Sequence, residues 1–409
     1  MIDAKAAALY DRLFRAETAP ADPYPLYEQL RSLGPIVRAA DDTWLTTTHD
    51  LSVRVLASGD FGNDADLAGR VRGGANWRER PALRTLAGML LMANPPRHAR
   101  LRGLLGAHFR RNPIGRARAS IRAHVDDLLE NLADDVDFVP AFAERLPRRV
   151  IADFIGIPEA DRLRFCDRTL AFNAVFERDL GDARLADADA AAEEIDGYVR
   201  GLVASARARP RGDLVSTLVE AADAQKLPMD ELVRLVFQVY NASFQTMVGL
   251  LGNGLAALLA HPDQFAAVRA DPRLVPFAVA EMLRWDPPVQ TTGRHALERT
   301  RVGTADVRPG ELVVTVLAAA NRDPARYAEP HRFDVRRRGP RSLAFGFGIH
   351  YCIGAGLATV QGEEAFRAIA SSGLRVEAAG PPRRSPGANM RSMASLPLTI
   401  VSASTGSRT

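Results

Sequence analysis

Cysteine, lysine and long apolar runs are all scarce in this 409-residue chain. Its two cysteines, Cys166 and Cys352, are too few for a disulfide scaffold. Neither has a second thiol nearby in the sequence, which argues against tetrahedral zinc or an iron–sulfur cluster. No apolar run approaches the ~20 residues that cross a bilayer. The start, "MIDAKAAALYDRLF", carries acids and lacks the apolar core of a signal peptide. These absences predict a cytoplasmic protein with reduced thiols and no membrane partner. Only Lys5 and Lys226 join the arginines among 53 basic residues, and 49 acidic residues interleave with them to leave a net charge of +4. Without a platform that combines bases and aromatics, nucleic acid is not an expected partner. A basic patch facing an acidic protein stays open.

What is present is helical periodicity. It predicts helices near 23–33, 98–109, 118–132, 141–155, 159–175, 187–207, 213–223, 229–260, 262–269, 274–285 and 355–371. Strand-like segments are few and short: "PIVRA", "TWLTT", "LVVTVLA" and "LPLTIV". "RARPRGD" and "AAGPPRRSPGANM" read as loops. The expected fold is mainly α with a small β portion, one large domain over 1–400 and a frayed tail over 401–409. The proline-free stretch 229–260 would run ~46 Å as a helix, enough to cross the whole domain. It is apolar on nearly all sides, yet in mid-course reads "NASFQTM". Buried polar groups need partners, so these residues face either neighbouring helices or something polar beside them. Cys166, within a helical pattern, reads as a small buried residue.

"AFGFGIHYCIG", residues 344–354, places three glycines around Cys352. Glycine adopts positive φ at little cost, which lets backbone N–H groups turn toward a sulfur. A helical pattern follows at once, so Cys352 lies near a positive helix N-terminus; both features favour thiolate. A single thiolate on a flat cofactor fits this loop.

The stretch "FGFGIHYCIGAGLA" resembles, nearly position for position, the heme-binding loop of the cytochromes P-450. The resemblance extends over almost the whole chain and is closest to the soluble bacterial class. It implies a triangular-prism fold with heme b (iron protoporphyrin IX) between the long central helix and the cysteine-loop helix. Cys352 would be the axial iron ligand, Phe345 would pack near the sulfur, His350 would face a propionate, and Gly354 would let backbone approach the porphyrin. His98 and Arg102, four apart on one helix face, and Arg294 would be further propionate contacts, though each alone could be an ordinary surface charge. In "EMLRWDPP", Glu281 and Arg284 are three apart on a helix. The same spacing recurs at Glu28/Arg31, Glu159/Arg162, Glu231/Arg234 and Glu364/Arg367, where solvated pairs are expected. The family's buried Glu–Arg pair is completed by an arginine from a later segment, which "EPHRFDVRR" would supply as Arg332.

The central helix departs from the family pattern. Where bacterial relatives read A-G-x-[DE]-T, this chain reads Ala242-Ser243-Phe244-Gln245-Thr246. The alcohol is kept, but the acid that helps deliver protons is a glutamine, which donates hydrogen bonds and cannot transfer a proton as a carboxylic acid does. Thr359 and Gln361 replace the arginine and acid often seen after the cysteine loop.

The resemblance implies a monooxygenase that activates O2 with electrons from a ferredoxin and ferredoxin reductase, since no flavin or nicotinamide domain is evident. Its substrate would be a small molecule, in bacterial natural-product tailoring. Gln238, Asn241, Val289 and Gln290 are candidate pocket residues, with further walls from a 61–93 loop, the 170–195 helices and a 390–394 turn. An acidic ferredoxin would meet Arg110, Arg111 and Arg336–Arg338. One alternative is oxidative C–C or C–N coupling or ring formation without oxygen insertion. Another is a non-catalytic heme protein. A peroxide-driven enzyme fits less well, because the Arg-Pro pair of that branch is absent.

Overall fold

The structure, a computed structural model, describes residues 2–401 except 15–19, 41, 107, 110, 178–180, 386 and 388, and except the side chains of 111–113, 116 and 401. Its axis is the helix Met229–Ala260. Leu232, Val236, Phe237, Leu251, Leu255 and Leu258 are among its buried side chains, and each stabilises the fold by about 1.5–3 kcal/mol on leaving water. Length and composition alone would let this helix cross a bilayer, but 67% of its most apolar stretch is buried inside the protein. Helices Arg145–Ile155, Asp182–Ala208, Val275–Trp285 and Ala355–Ser371 pack around it. Asn253 lies buried within it, donating to the carbonyl of Arg391 (2.9 Å) and accepting from Arg384 (2.9 Å).

The β portion sits to one side. A five-stranded sheet runs in the order Ile36–Ala40, Thr43–Thr46, Leu312–Thr315, Thr292–Ala296, Phe61–Gly62. Thr43–Thr46 pairs in parallel with Leu312–Thr315, with Thr43 opposite Leu312, and every other pairing in the sheet is antiparallel. A three-stranded sheet joins Asp135–Asp137, Pro397–Val401 and Arg375–Ala378.

The four predicted strand segments all appear, and each predicted helix overlaps one that forms. Three differences have physical reasons. The stretch expected as a 61–93 loop contains helices Ala65–Gly73 and Pro81–Gly88. Gly69 and Gly73 weaken its helical pattern, but Gly69 lies where the indole of Trp77 stacks directly on the helix, leaving no room for a side chain. Residues 141–155 begin as a π-helical turn, Val139–Ala143, before the α-helix Arg145–Ile155. The 378–390 loop contributes Arg383–Arg384 to a short ladder with Met393–Ser395. Val401, the first residue of the expected tail, ends a strand, and residues 402–409 lie outside the described residues.

Glu281 and Arg284 are buried and joined by two hydrogen bonds, 2.7 and 2.8 Å. Arg284 also donates to the carbonyls of Asn321 and Pro330 (both 2.9 Å) and Arg332 (3.1 Å). The expectation for Arg332 is corrected here. Its guanidinium pairs with Glu329 at 3.2 Å and is 58% exposed, whereas Arg337, 14% exposed, reaches Glu281 at 3.1 Å. Phe333 and Val335 take the inward positions of this segment, so the side chain at 332 is turned out and only its carbonyl faces Arg284.

Candidate active site

Gly346 and Gly348 have φ of +69° and +72°, which L side chains rarely adopt. A Cβ at Gly348 would also collide with the Leu56 carbonyl oxygen. The loop is closed by Cys352 N–H to the Phe345 carbonyl (2.9 Å) and anchored by Leu343 N–H to Asn321 Oδ1 (2.6 Å). Cys352 is exposed at its head, directly before the helix Ala355–Ser371. Surrounding protein pushes the thiol's pKa up, and the N–H groups of Gly354 and Ala355 with Arg102 offset this only in part. The helix terminus therefore does not by itself hold Cys352 as thiolate. A metal cation at the sulfur reverses that balance, because a coordinating thiol loses its proton.

Four basic side chains gather near this loop. His98 is buried with Nε2 unpartnered, and its ring meets that of His350 edge-on at 4.4 Å. Arg294 is buried and donates to the carbonyl of Gly293 (2.7 Å), while Arg102 donates to that of Tyr351 (2.7 Å). Burial and then the charges of Arg294, His98 and Arg102 push the pKa of His350 down to about 3. Burial takes Arg294 down to about 10. None of the four makes an ion pair among the described residues, and Asn63 Nδ2 lies 3.4 Å from His350 Nε2. Convergent donors with an unpartnered buried nitrogen and no carboxylate call for an anion with more than one charge.

On the central helix, Ser243 Oγ donates to the Val239 carbonyl (2.6 Å) and Thr246 Oγ1 to that of Ala242 (2.8 Å). Gln245 Oε1 accepts from Asn173 Nδ2 at 2.8 Å, and Asn241 Nδ2 donates to Asn173 Oδ1 at 2.5 Å. Asn173 opens the turn Asn173–Phe176 after helix Arg162–Phe172, so three neutral amides join that turn to the helix. Asn173 was not singled out in the sequence beyond its place in a wall region. Of the four candidate pocket residues, Asn241 belongs to this bracket and Val289 bridges to Met390. Gln238 Oε1 accepts from Leu91 N–H (3.1 Å). Gln290 is corrected: it is buried between Tyr27 (3.1 Å) and the Pro287 carbonyl (2.6 Å), so its amide is committed to the scaffold.

The chain matches the family described as Cytochrome P450 over residues 183–369. Cytochrome P450 monooxygenase PikC from Streptomyces venezuelae is 38% identical over 365 residues, 85% of this chain and 83% of that one. Among solved structures, the P450 enzyme CxnD, described for C–S bond formation in chuangxinmycin biosynthesis, superposes with a TM-score of 0.84 at 29% identity over 92% of this chain and 94% of that one. The P450 monooxygenase TamI, solved with tirandamycin C bound, gives 0.82 at 31% identity over 93% and 98%. This chain belongs to the cytochrome P450 family. It is a mainly helical, single-domain P450 monooxygenase, and the family implies heme, a substrate and redox partners. The donor set fits that group. Cys352 offers one exposed sulfur for the iron, and Arg102 and Arg294 without a counter-charge, with the histidines as neutral donors, suit the two carboxylates of the P450 heme.

Proposed function

We propose that this P450 oxidises a small organic molecule in bacterial natural-product tailoring, in the cytoplasm, with electrons from a ferredoxin and its reductase, and that residues 1–400 form one heme-thiolate domain. The observation that carries the reading is the pairing of an exposed Cys352 with an unneutralised cluster of Arg102, Arg294, His98 and His350. Cys352 would hold the iron, and the cluster would hold the carboxylates. Heme so bound supplies oxygen activation, to which the thiolate contributes electron density. Thr246 already donates to Ala242, so in this arrangement its oxygen can accept but not donate toward the cleft. Gln245 orients through Asn173 and carries no exchangeable acid proton. That neutral bracket supports a second reading, oxidative coupling or ring formation, in which the substrate's own hydroxyl or amine gives up the protons. CxnD, a relative named for C–S bond formation, supports the same reading.

For the ferredoxin, Arg336 and Arg338 remain exposed candidates, while Arg337 is committed to Glu281. Arg110 and the side chain of Arg111 lie outside the described residues. Phe347 and Ile349, 42% and 47% exposed on the cysteine loop, would add apolar contact for a partner at that loop.

The test is the reduced, carbon monoxide-bound spectrum. Wild type should show the band of thiolate-ligated heme, Cys352→His should lose it, and Cys166→Ser, which alters a buried thiol elsewhere, should keep it. Loss in Cys166→Ser instead would overturn the ligand assignment.

A further inference from the structure

Helix Ala65–Gly73 and the turn after it carry three arginines with different fates. Arg70 and Arg78 both pair with Asp66, at 2.6 and 2.5 Å. Among the described residues Arg72 pairs with no acid. Its Nε donates to the Val175 carbonyl (2.8 Å) and its Nη1 to that of Ala68 (3.1 Å), both neutral acceptors, and Nη2 makes no hydrogen bond among the described residues. Burial lowers its pKa, and no acid opposes that shift. A half-buried guanidinium bonded only to carbonyls keeps its charge uncompensated.

Its position gives that charge a use. Val175 lies in the turn Asn173–Phe176, whose first residue is bonded to Gln245 and Asn241 of the central helix. Arg72 thus braces, from helix Ala65–Gly73, the turn that is bonded to the central helix. The amides of Asn173, Asn241 and Gln245 carry no charge, so they offer an anion no counter-charge. We propose that Arg72 binds a carboxylate on the substrate, which makes the substrate of this P450 an organic acid held with its ionised end toward helix Ala65–Gly73. The guanidinium edge that is not bonded to Val175 and Ala68 matches a carboxylate with two donors. The neutral bracket on the central helix meets the uncharged remainder of the molecule.

This proposal rests on the P450 reading of the cleft, and its test separates the two. Heme-loaded protein is titrated optically with ω-(imidazol-1-yl)alkanoic acids of graded chain length and with their methyl esters, the imidazole reporting at the iron. At low salt, wild type should bind the best-fitting acid roughly tenfold or more tightly than its ester, as expected for one charge-assisted contact. Arg72→Gln should erase that preference, and Arg72→Lys should keep part of it. An acid-to-ester ratio in Arg72→Gln equal to that of wild type would overturn the anchor. So would no preference in wild type at any chain length. A variant that loses acid and ester equally would mark Arg72 as a strut for the Val175 turn and also overturn it. Absence of a heme spectrum in wild type would instead overturn the P450 reading itself.

Discussion

Around Glu281, Arg284 and Arg337 share one buried carboxylate and add hydrogen bonds to main-chain carbonyls. Around His350, Arg102, Arg294 and His98 share no carboxylate at all among the described residues. The first group is closed within the chain, so its task is to hold the fold. The second is open, and its imbalance is a request for a ligand. Burial and residue type are alike in the two places, and counter-charge is what tells architecture from site.

The largest expected effect breaks the closed group. Glu281→Ala leaves Arg284 and Arg337 buried without an anion and should cost about 3–5 kcal/mol, read as a fall in the urea midpoint of the apo protein. Arg294→Gln should do the reverse. It removes an uncompensated charge, so the apo midpoint should hold or rise, while heme dissociates about 10- to 100-fold faster for the loss of one charged hydrogen bond. Equal apo destabilisation by both variants would erase the distinction between the clusters.

A smaller contrast sharpens the membership of the closed group. Arg337→Ala should cost about 1–3 kcal/mol, because it leaves part of the Glu281 carboxylate unpaired in the interior. Arg332→Ala, which strips an exposed guanidinium, should stay within about 0.5 kcal/mol. The reverse order would restore Arg332 as the partner.

The open cluster should also be visible in pH. His350 is held at about 3, below the ordinary histidine value of about 6.5. Between those values the unfolded chain takes up a proton that the folded chain refuses, so the apo protein should lose stability as pH falls from about 6.5 toward 3. Above that window the contribution is constant. His350→Gln should flatten this part of the profile. A wild-type slope retained in the variant would assign it to other groups.

The smallest effect concerns the neutral bracket. Gln245→Glu gives the helix a carboxyl that Asn173 Nδ2 can still serve, and should change peroxide released per NADH consumed or shift product toward hydroxylation. Unchanged coupling and product would show that protons reach the site by a path independent of residue 245.

The sequence was most legible where function is written contiguously. The glycines, His350 and Cys352 fall within a few residues, and each is constrained by its own backbone or its nearest neighbours. The central helix was legible because 32 residues of apolar, proline-free sequence admit little else. Legibility failed where a side chain's fate depends on which way a turn faces. Arg332 and Arg337 lie in the same basic run, and only the inward packing of Phe333 and Val335 decides between them. It failed again for Asn173, whose partners lie 68 and 72 residues away, and for Gln290, whose polarity suggested a ligand but serves the distant hydroxyl of Tyr27 and the nearby Pro287 carbonyl.

The parallel pairing of Thr43 with Leu312 has a consequence for how the molecule is made. The two strands are 269 residues apart in sequence (312 minus 43), and bringing such a loop's ends together costs about 5 kcal/mol of chain entropy before any contact rewards it. During synthesis the amino-terminal strands must wait, edges bare, until most of the chain has left the ribosome. The wall that carries Arg294 belongs to the same sheet and is completed with it. Heme capture through Arg294 would therefore come late in the making of the chain, once that wall has closed.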